Sequence, residues 1–304
     1  MPEPPVPVRR GRLLRIGAAG AVLLAVAGYV IAQYVTGGRP APGCEVVSAR
    51  GDGSSYDISS EQAVNAATIA AVGLTRGMPE RAVTIALATA LQESGLRNLG
   101  HGDRDSLGLF QQRPSQGWGT AKEIRDPAYA SARFYQHLAE VPGYARLPLT
   151  DAAQRVQHSA FPRAYAKHEP DATLLSASLT GRAPATLTCR DRPGPRAGSP
   201  SRVRAALVRD FGRDVLQVSA ATSGSAARTV TVPVAPTAAS SGDTSGDAAR
   251  QRGWEVAHWA VANSSALHIE RVTFAGMEWT AGASPTRWHK AVGDGEDVRI
   301  VTGQ

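Results

Sequence analysis

Lysine is nearly missing from this chain. Only three of its 33 basic residues are lysine, so the net charge of +7 rests on arginine. No basic run is interleaved with aromatics, which leaves no nucleic-acid face, and nucleic acid is not an expected partner. The seven histidines lie on separate segments with no His-x-x-x-His pair among them. That absence removes the commonest zinc signatures, and neither a metal nor a cofactor is expected. Cysteine is reduced to Cys44 and Cys189. In an exported chain such a matched pair reads as a disulfide that ties together the ends of the segment it brackets.

One long uncharged run is present. Arg9, Arg10, Arg12 and Arg15 precede a stretch without charge from Ile16 to Gly38. About 20 mostly apolar residues span a bilayer, and flanking arginines hold their end in the cytoplasm. The expectation is a single-pass transmembrane helix at the cell membrane with the rest of the chain extracytoplasmic. Ala25-Val26-Ala27 offers a signal-peptidase site, and cleavage there would secrete the protein instead. Outside a cell, a basic protein meets anionic wall polymers first.

Composition then divides the chain. Residues 1–15 form a basic cytoplasmic end, 16–38 the anchor or signal peptide, and 39–57 a Gly/Pro-rich tether. An almost wholly helical domain is expected over 58–189, a linker over 190–200, and a small α+β or α/β module over 201–304 with a disordered insertion at about 233–249. Ser59 and Gln62 form a capping-box pattern before a helix whose alanines recur at helical spacing. The following segment, "ERAVTIALATALQES", is apolar around most of its circumference, which predicts a central buried helix closed by Gly95.

Glu93 stands in the last turn of that helix. Burial and the negative end of the helix dipole both disfavour a carboxylate there and favour the neutral acid. A neutral carboxyl can protonate a leaving oxygen, as cleavage of a glycosidic bond requires. The loop that follows, "GHGDRDSLGLFQQ", supplies glycines that let a bulky polymer approach and an amide, Gln111, that can meet a sugar.

The stretch "ALQESGLRNLGHGDRDSLGLFQQRP" resembles the signature of the soluble lytic transglycosylases and goose-type lysozymes, through Glu93-Ser94 and Gly108-Leu109-Phe110-Gln111. The resemblance covers about residues 58 to 180. It implies a mainly α, lysozyme-like domain that cleaves the β-1,4 bond between N-acetylmuramic acid and N-acetylglucosamine in peptidoglycan strands, with Glu93 as general acid and then base. Without a second carboxylate the muramyl 6-hydroxyl closes the ring to an anhydro end, whereas with one, water is activated. Asp103 is the candidate second carboxylate and Asp105 its alternative, while pairing of either with Arg97 or Arg104 is the structural reading. Gln112-Arg113-Pro114 stand where the family often carries a further aspartate, which favours the transglycosylase outcome.

By the same resemblance, "VQHSAFPRAYAKHEP" occupies the place of the closing helix but lacks its Asn. Ser94, Gln111, Gln112, Trp118, Gln157 and Tyr165 are the candidate substrate contacts, with packing at the domain edge as the other role open to Trp118. The C-terminal segment resembles a unit that follows lysozyme-like domains in actinobacterial wall proteins and sometimes retains zinc ligands. Here the end reads "DGEDVRIVTGQ" with no histidine, which implies a catalytically empty module. A non-catalytic wall-binding or scaffold protein is the alternative for the whole chain.

Overall fold

The computed structural model describes residues 43–158, 163–190, 197–216, 228–234, 244–283, 287–291, 293 and 295–304, together with 20, 25, 26 and 28. The chain divides into two compact units, Met1–Ala41 and Pro42–Gln304. In the first, Gly20, Ala25, Val26 and Gly28 are helical, and the rest of the expected membrane span lies outside the described residues. No described helix is long and apolar enough to cross a membrane.

The second unit is mixed α+β, with two antiparallel sheets among its described residues. Residues 58–189 are mainly helical, as expected, and the strands of the first sheet come chiefly from the stretch expected to be a tether. Cys44–Val47 (β1) and Ser55–Ile58 (β2) pair as a hairpin, and Leu187–Cys189 (β3) adds to the other side of β1. The expected tether thus contributes strands. Cys44 stands opposite Cys189 in the β1–β3 register, and the two form a disulfide. Arg190 reaches Glu45 and Asp57 and braces the same sheet.

Ser60–Thr75 (α1) begins at the expected capping box: the Ser59 hydroxyl accepts from the Gln62 N–H and the Gln62 side chain accepts from the Ser59 N–H. Glu80–Ser94 (α2) is buried at every position from Ala82 to Leu91. It runs through the middle because no face of it is polar enough to meet water. The short helix Ala121–Ile124 (α3) precedes Pro127–Glu140 (α4), which is capped by the Asp126 carboxylate. Leu149–Gln157 (α5) and Glu169–Leu179 (α6) complete this part. Thr84 and Ser176 share a hydrogen bond of 2.8 Å, and Arg81 pairs with Glu169 at 2.7 Å, so α2 and α6 are joined by polar contacts as well as apolar ones.

Beyond the expected linker lie Pro200–Phe211 (α7), Thr229–Val232 (β4), Thr244–Ala262 (α8) and Ser264–Leu267 (α9). Ile269–Phe274 (β5), Met277–Thr280 (β6), His289–Lys290 (β7) and Val298–Thr302 (β8) follow, and the second sheet has the order β4-β8-β5-β6-β7. Residues 244–249, expected within the disordered insertion, form the first turns of α8, and 235–243 lie outside the described residues.

The 190–200 stretch does not separate two cores, because one hydrophobic cluster runs from Cys44 to Ile300. Buried polar contacts cross it. Asp210 of α7 accepts hydrogen bonds from the Thr68 hydroxyl of α1 at 3.2 Å and the Trp259 indole of α8 at 2.8 Å, while Arg209 balances its charge at 2.6 Å. The Trp288 indole donates to the Leu187 carbonyl of β3 at 2.9 Å. A carboxylate as buried as Asp210 is tolerated only when its acceptor positions are filled in this way. Trp254, Trp259 and Trp279 are core residues, each no more than 3% exposed.

Candidate active site

Gly95 ends α2 with φ at 63°, in the left-handed region that a glycine enters without steric cost. Its N–H and that of Leu96 return to the carbonyls of Leu91 and Ala90, which closes the helix one residue past Ser94. The carbonyls of the cap are themselves held by α1. Gln62 Nε2 donates to Gly95 O and Asn65 Nδ2 to Leu96 O, each at 2.8 Å. These two amides, three residues apart on an otherwise alanine-rich helix, fix where the end of α2 lies. They were not among the expected site residues, although polar side chains on an apolar helical face were the available signal.

Glu93 is half-buried at this end. The Tyr165 hydroxyl donates to Glu93 Oε1 at 2.6 Å across 72 positions of sequence. Tyr165 is itself 0% exposed, so the contact expected with a sugar is replaced by a contact with Glu93. One residue before Glu93, Gln92 Oε1 is 3.2 Å from His168 Nε2, and the His168 N–H donates to the Tyr165 carbonyl. The turn bearing Tyr165 is therefore pinned to α2 at two consecutive residues. Desolvation and then the Lys167 charge hold His168 below the ordinary imidazole range, against the opposing pull of Asp171.

The loop after Glu93 folds back as a tight hairpin. Leu107 and Gln112 exchange backbone hydrogen bonds at 2.9 and 3.0 Å, and the Gly108 N–H donates to Leu99 O at 2.8 Å. Gly108 has φ at 74°, and a Cβ there would lie 2.6 Å from the Ile124 carbonyl, so this position admits only glycine. The tip is anchored by Leu109 and Phe110, both 0% exposed, with Phe110 stacked on Phe134 at 4.6 Å. The Ser94 hydroxyl donates to Leu109 O at 2.7 Å, and Gln157 Nε2 donates to Phe110 O at 2.8 Å. Glu93, Ser94, Tyr165 and Gln157 are thus brought to one place by the end of α2 and this hairpin.

No protein-family model matches the chain, and neither does any curated protein.

Several expected contacts serve the fold. Gln112 is 2% exposed and donates to Ala130 O at 3.1 Å, so it is an internal strut and not a substrate contact. Ser94 and Gln157 spend donors on the carbonyls of the hairpin. Gln111, with φ at 47°, turns its amide toward Gly108 O at 3.3 Å. Trp118 is half-buried with its ring 4.3 Å from that of His137, and it packs against the core at the edge of this region.

The two aspartates divide clearly. Asp105 accepts from Arg113 Nε at 2.7 Å and from the Ser115 N–H at 2.8 Å, and that Ser115 backbone bond followed by Arg113 holds its carboxyl far below the usual range. Its partner is Arg113, where Arg97 or Arg104 had been expected. Asp103 is 94% exposed, with Arg104 Nε no closer than 4.0 Å. No group of three His, Cys, Asp or Glu side chains able to hold a metal occurs among the described residues. A separate cavity of about 430 Å³ lies between the β1–β2 turn and α6, and its lining does not include Glu93.

Proposed function

We propose that this chain is a peptidoglycan-cleaving glycosidase of the lytic transglycosylase type, with Glu93 as general acid and then base. The observation that carries the reading is a lone carboxyl at the end of a buried helix, one of whose oxygens is held at 2.6 Å by a buried tyrosine hydroxyl. With Oε1 occupied, Oε2 is the oxygen that carries the transferable proton. Glu93 gives that proton to the glycosidic oxygen as the C1–O bond breaks. The resulting carboxylate then takes the proton of the muramyl 6-hydroxyl as that oxygen bonds to C1, which leaves a 1,6-anhydro end and restores the acid.

Two further observations support this outcome. Asp105 is committed to Arg113 and Ser115, and Asp103 is too exposed to hold a water in fixed geometry. The lysozyme-like character of 58–189 rests on Glu93-Ser94 and Gly108-Leu109-Phe110-Gln111, now joined physically by the Ser94–Leu109 hydrogen bond. An extracytoplasmic location, with 16–38 as a membrane anchor, accords with the Cys44–Cys189 disulfide, since such bonds persist in oxidising compartments.

A second reading, a wall-binding protein without turnover, is favoured by the internal use of the Ser94, Gln112 and Gln157 donors. Mass spectrometry of muropeptides released from purified peptidoglycan decides between them. The proposal expects anhydro-muramyl products from the wild type and a loss on the order of a hundredfold or more in Glu93→Gln. Reducing ends in their place would make the enzyme a hydrolase and direct attention to Asp103. Absence of any product beside intact binding would leave the non-catalytic reading.

A further inference from the structure

The loop directly after Glu93 carries charge that the cleavage chemistry does not use. Arg97 lies just past the cap of α2 and is exposed, as are Lys122 and Arg125 on and beside α3. None of the three has an ion-pair partner among the described residues. The acids of these segments have other partners: Asp103 stands 4.0 Å from Arg104, and the Asp126 carboxylate caps α4 through the Ala128 and Tyr129 N–H groups. Glu123 caps its own helix through the Thr120 N–H and hydroxyl at 2.8 and 2.7 Å, and Asp105 is clamped by Arg113 and Ser115.

The backbone segments that carry Arg97 and Arg125 are also tied together. Asn98 Nδ2 donates to the Arg125 carbonyl at 2.8 Å, and a Cβ placed on Gly100 would lie 3.9 Å from Arg125 Cζ. The Arg125 guanidinium therefore lies over Gly100, three residues along the same loop from Arg97. Gly108 fits against the Ile124 carbonyl, which ties α3 to the hairpin that Ser94 anchors. The result is a set of exposed cations without ion pairs of their own, carried on backbone that is tied to the end of the Glu93 helix.

We propose that Arg97 and Arg125 form an anion-recognition rim that selects a polymer bearing carboxylate or phosphate groups over a neutral glycan. The inference rests on the cleavage reading for its location and adds to it the charge class of the substrate. Guanidinium groups suit both anions because their paired N–H donors match two oxygens at once. In peptidoglycan the anion comes from the carboxylates of the peptide stems or from a phosphate polymer attached to the glycan.

Co-sedimentation of the full chain with insoluble peptidoglycan tests the rim without requiring turnover. Four polymers are compared: intact, stripped of phosphate polymer, with carboxylates amidated, and treated both ways. Wild-type binding is expected to weaken as salt rises from about 50 to about 500 mM. Arg97→Gln/Arg125→Gln should bind roughly tenfold more weakly at low salt, from a few-fold per exposed ion pair. Arg76→Gln/Arg204→Gln removes the same charge from exposed positions outside the rim and should bind as the wild type does.

Loss of wild-type binding on amidation identifies the stem carboxylate, and loss on stripping identifies the phosphate polymer. The proposal is overturned if the rim variant binds like the wild type, if the control variant weakens equally, or if a polymer without either anion binds undiminished. Cleavage products are read separately by mass spectrometry, so rim-dependent binding without any product would sink the cleavage reading and leave the rim in place.

Discussion

His258 offers the sharpest quantitative test of the packing. It is 0% exposed, on α8, with Nδ1 2.7 Å from the Ser178 carbonyl. That carbonyl can only accept, so the proton is on Nδ1 and Nε2 holds the lone pair. Nε2 has no hydrogen-bond partner among the described residues, and the imidazole ring packs near the rings of Trp254 and Trp288, 5.3 and 6.1 Å between centroids. A second proton would place a charge in that apolar site. Desolvation accordingly lowers the group to about 4, with the Ser178 hydrogen bond opposing the shift.

The sign of the pH effect follows from linkage. Between the unfolded value near 6.5 and the folded value near 4, the unfolded chain binds the extra proton, so stability falls as pH falls through this window. Relative to pH 7.5 the loss at pH 5.0 is about 2 kcal/mol, and its limit below pH 4 is about 3 kcal/mol. Burial of Glu255 raises its carboxyl and gives the opposite slope, with stability falling as pH rises above about 4.5. The wild-type curve is therefore a sum. His258→Asn keeps an amide donor toward Ser178 but cannot titrate, so urea unfolding of both proteins at pH 7.5 and 5.0 isolates the histidine. The wild type should lose about 2 kcal/mol more than the variant over that interval, and parallel pH dependence in the two would refute the assignment.

Other contacts make equally direct predictions. Asn65→Ala strands the Leu96 carbonyl next to the α2 cap, and urea unfolding should show a loss of about 1 to 3 kcal/mol. If the α1 amides position Glu93, the same variant lowers cleavage beyond what its remaining folded fraction explains. Reduction of Cys44–Cys189 opens a loop of 145 residues, and loop entropy places the cost at about 5 kcal/mol in denaturant titrations with and without reductant. A change below about 1 kcal/mol would show that the β1–β3 pairing, not the bond, closes the fold. Asp105→Asn removes the clamp on Arg113 and Ser115, and hydrogen exchange at the Ser115 amide should accelerate while that at the Leu107 and Gln112 amides stays slow.

Local interactions made part of this structure legible in advance. The α1 capping box, the burial of α2 and its closure at Gly95 each depend on residues within a few positions of one another, and periodicity reports such contacts directly. The position of Glu93 at the end of an apolar helix was readable for the same reason. The strands β1, β2 and β3 were not, since runs of three or four residues carry too little alternation to distinguish them from a tether. Nor was the single core, because the linker-like 190–200 composition says nothing about the surfaces on either side of it.

The amino-acid sequence by itself determined α1 with its capping box, α2 with its closure at Gly95, the pairing of the two cysteines and the carboxyl that ends α2. Only the tertiary structure decided what that carboxyl touches: Tyr165 comes from 72 residues away, and the amides that hold its helix end come from about 30 residues upstream. Such contacts carry no periodic trace. They exist because burying α2 on all sides leaves its polar end accessible only to the few donors that packing carries there.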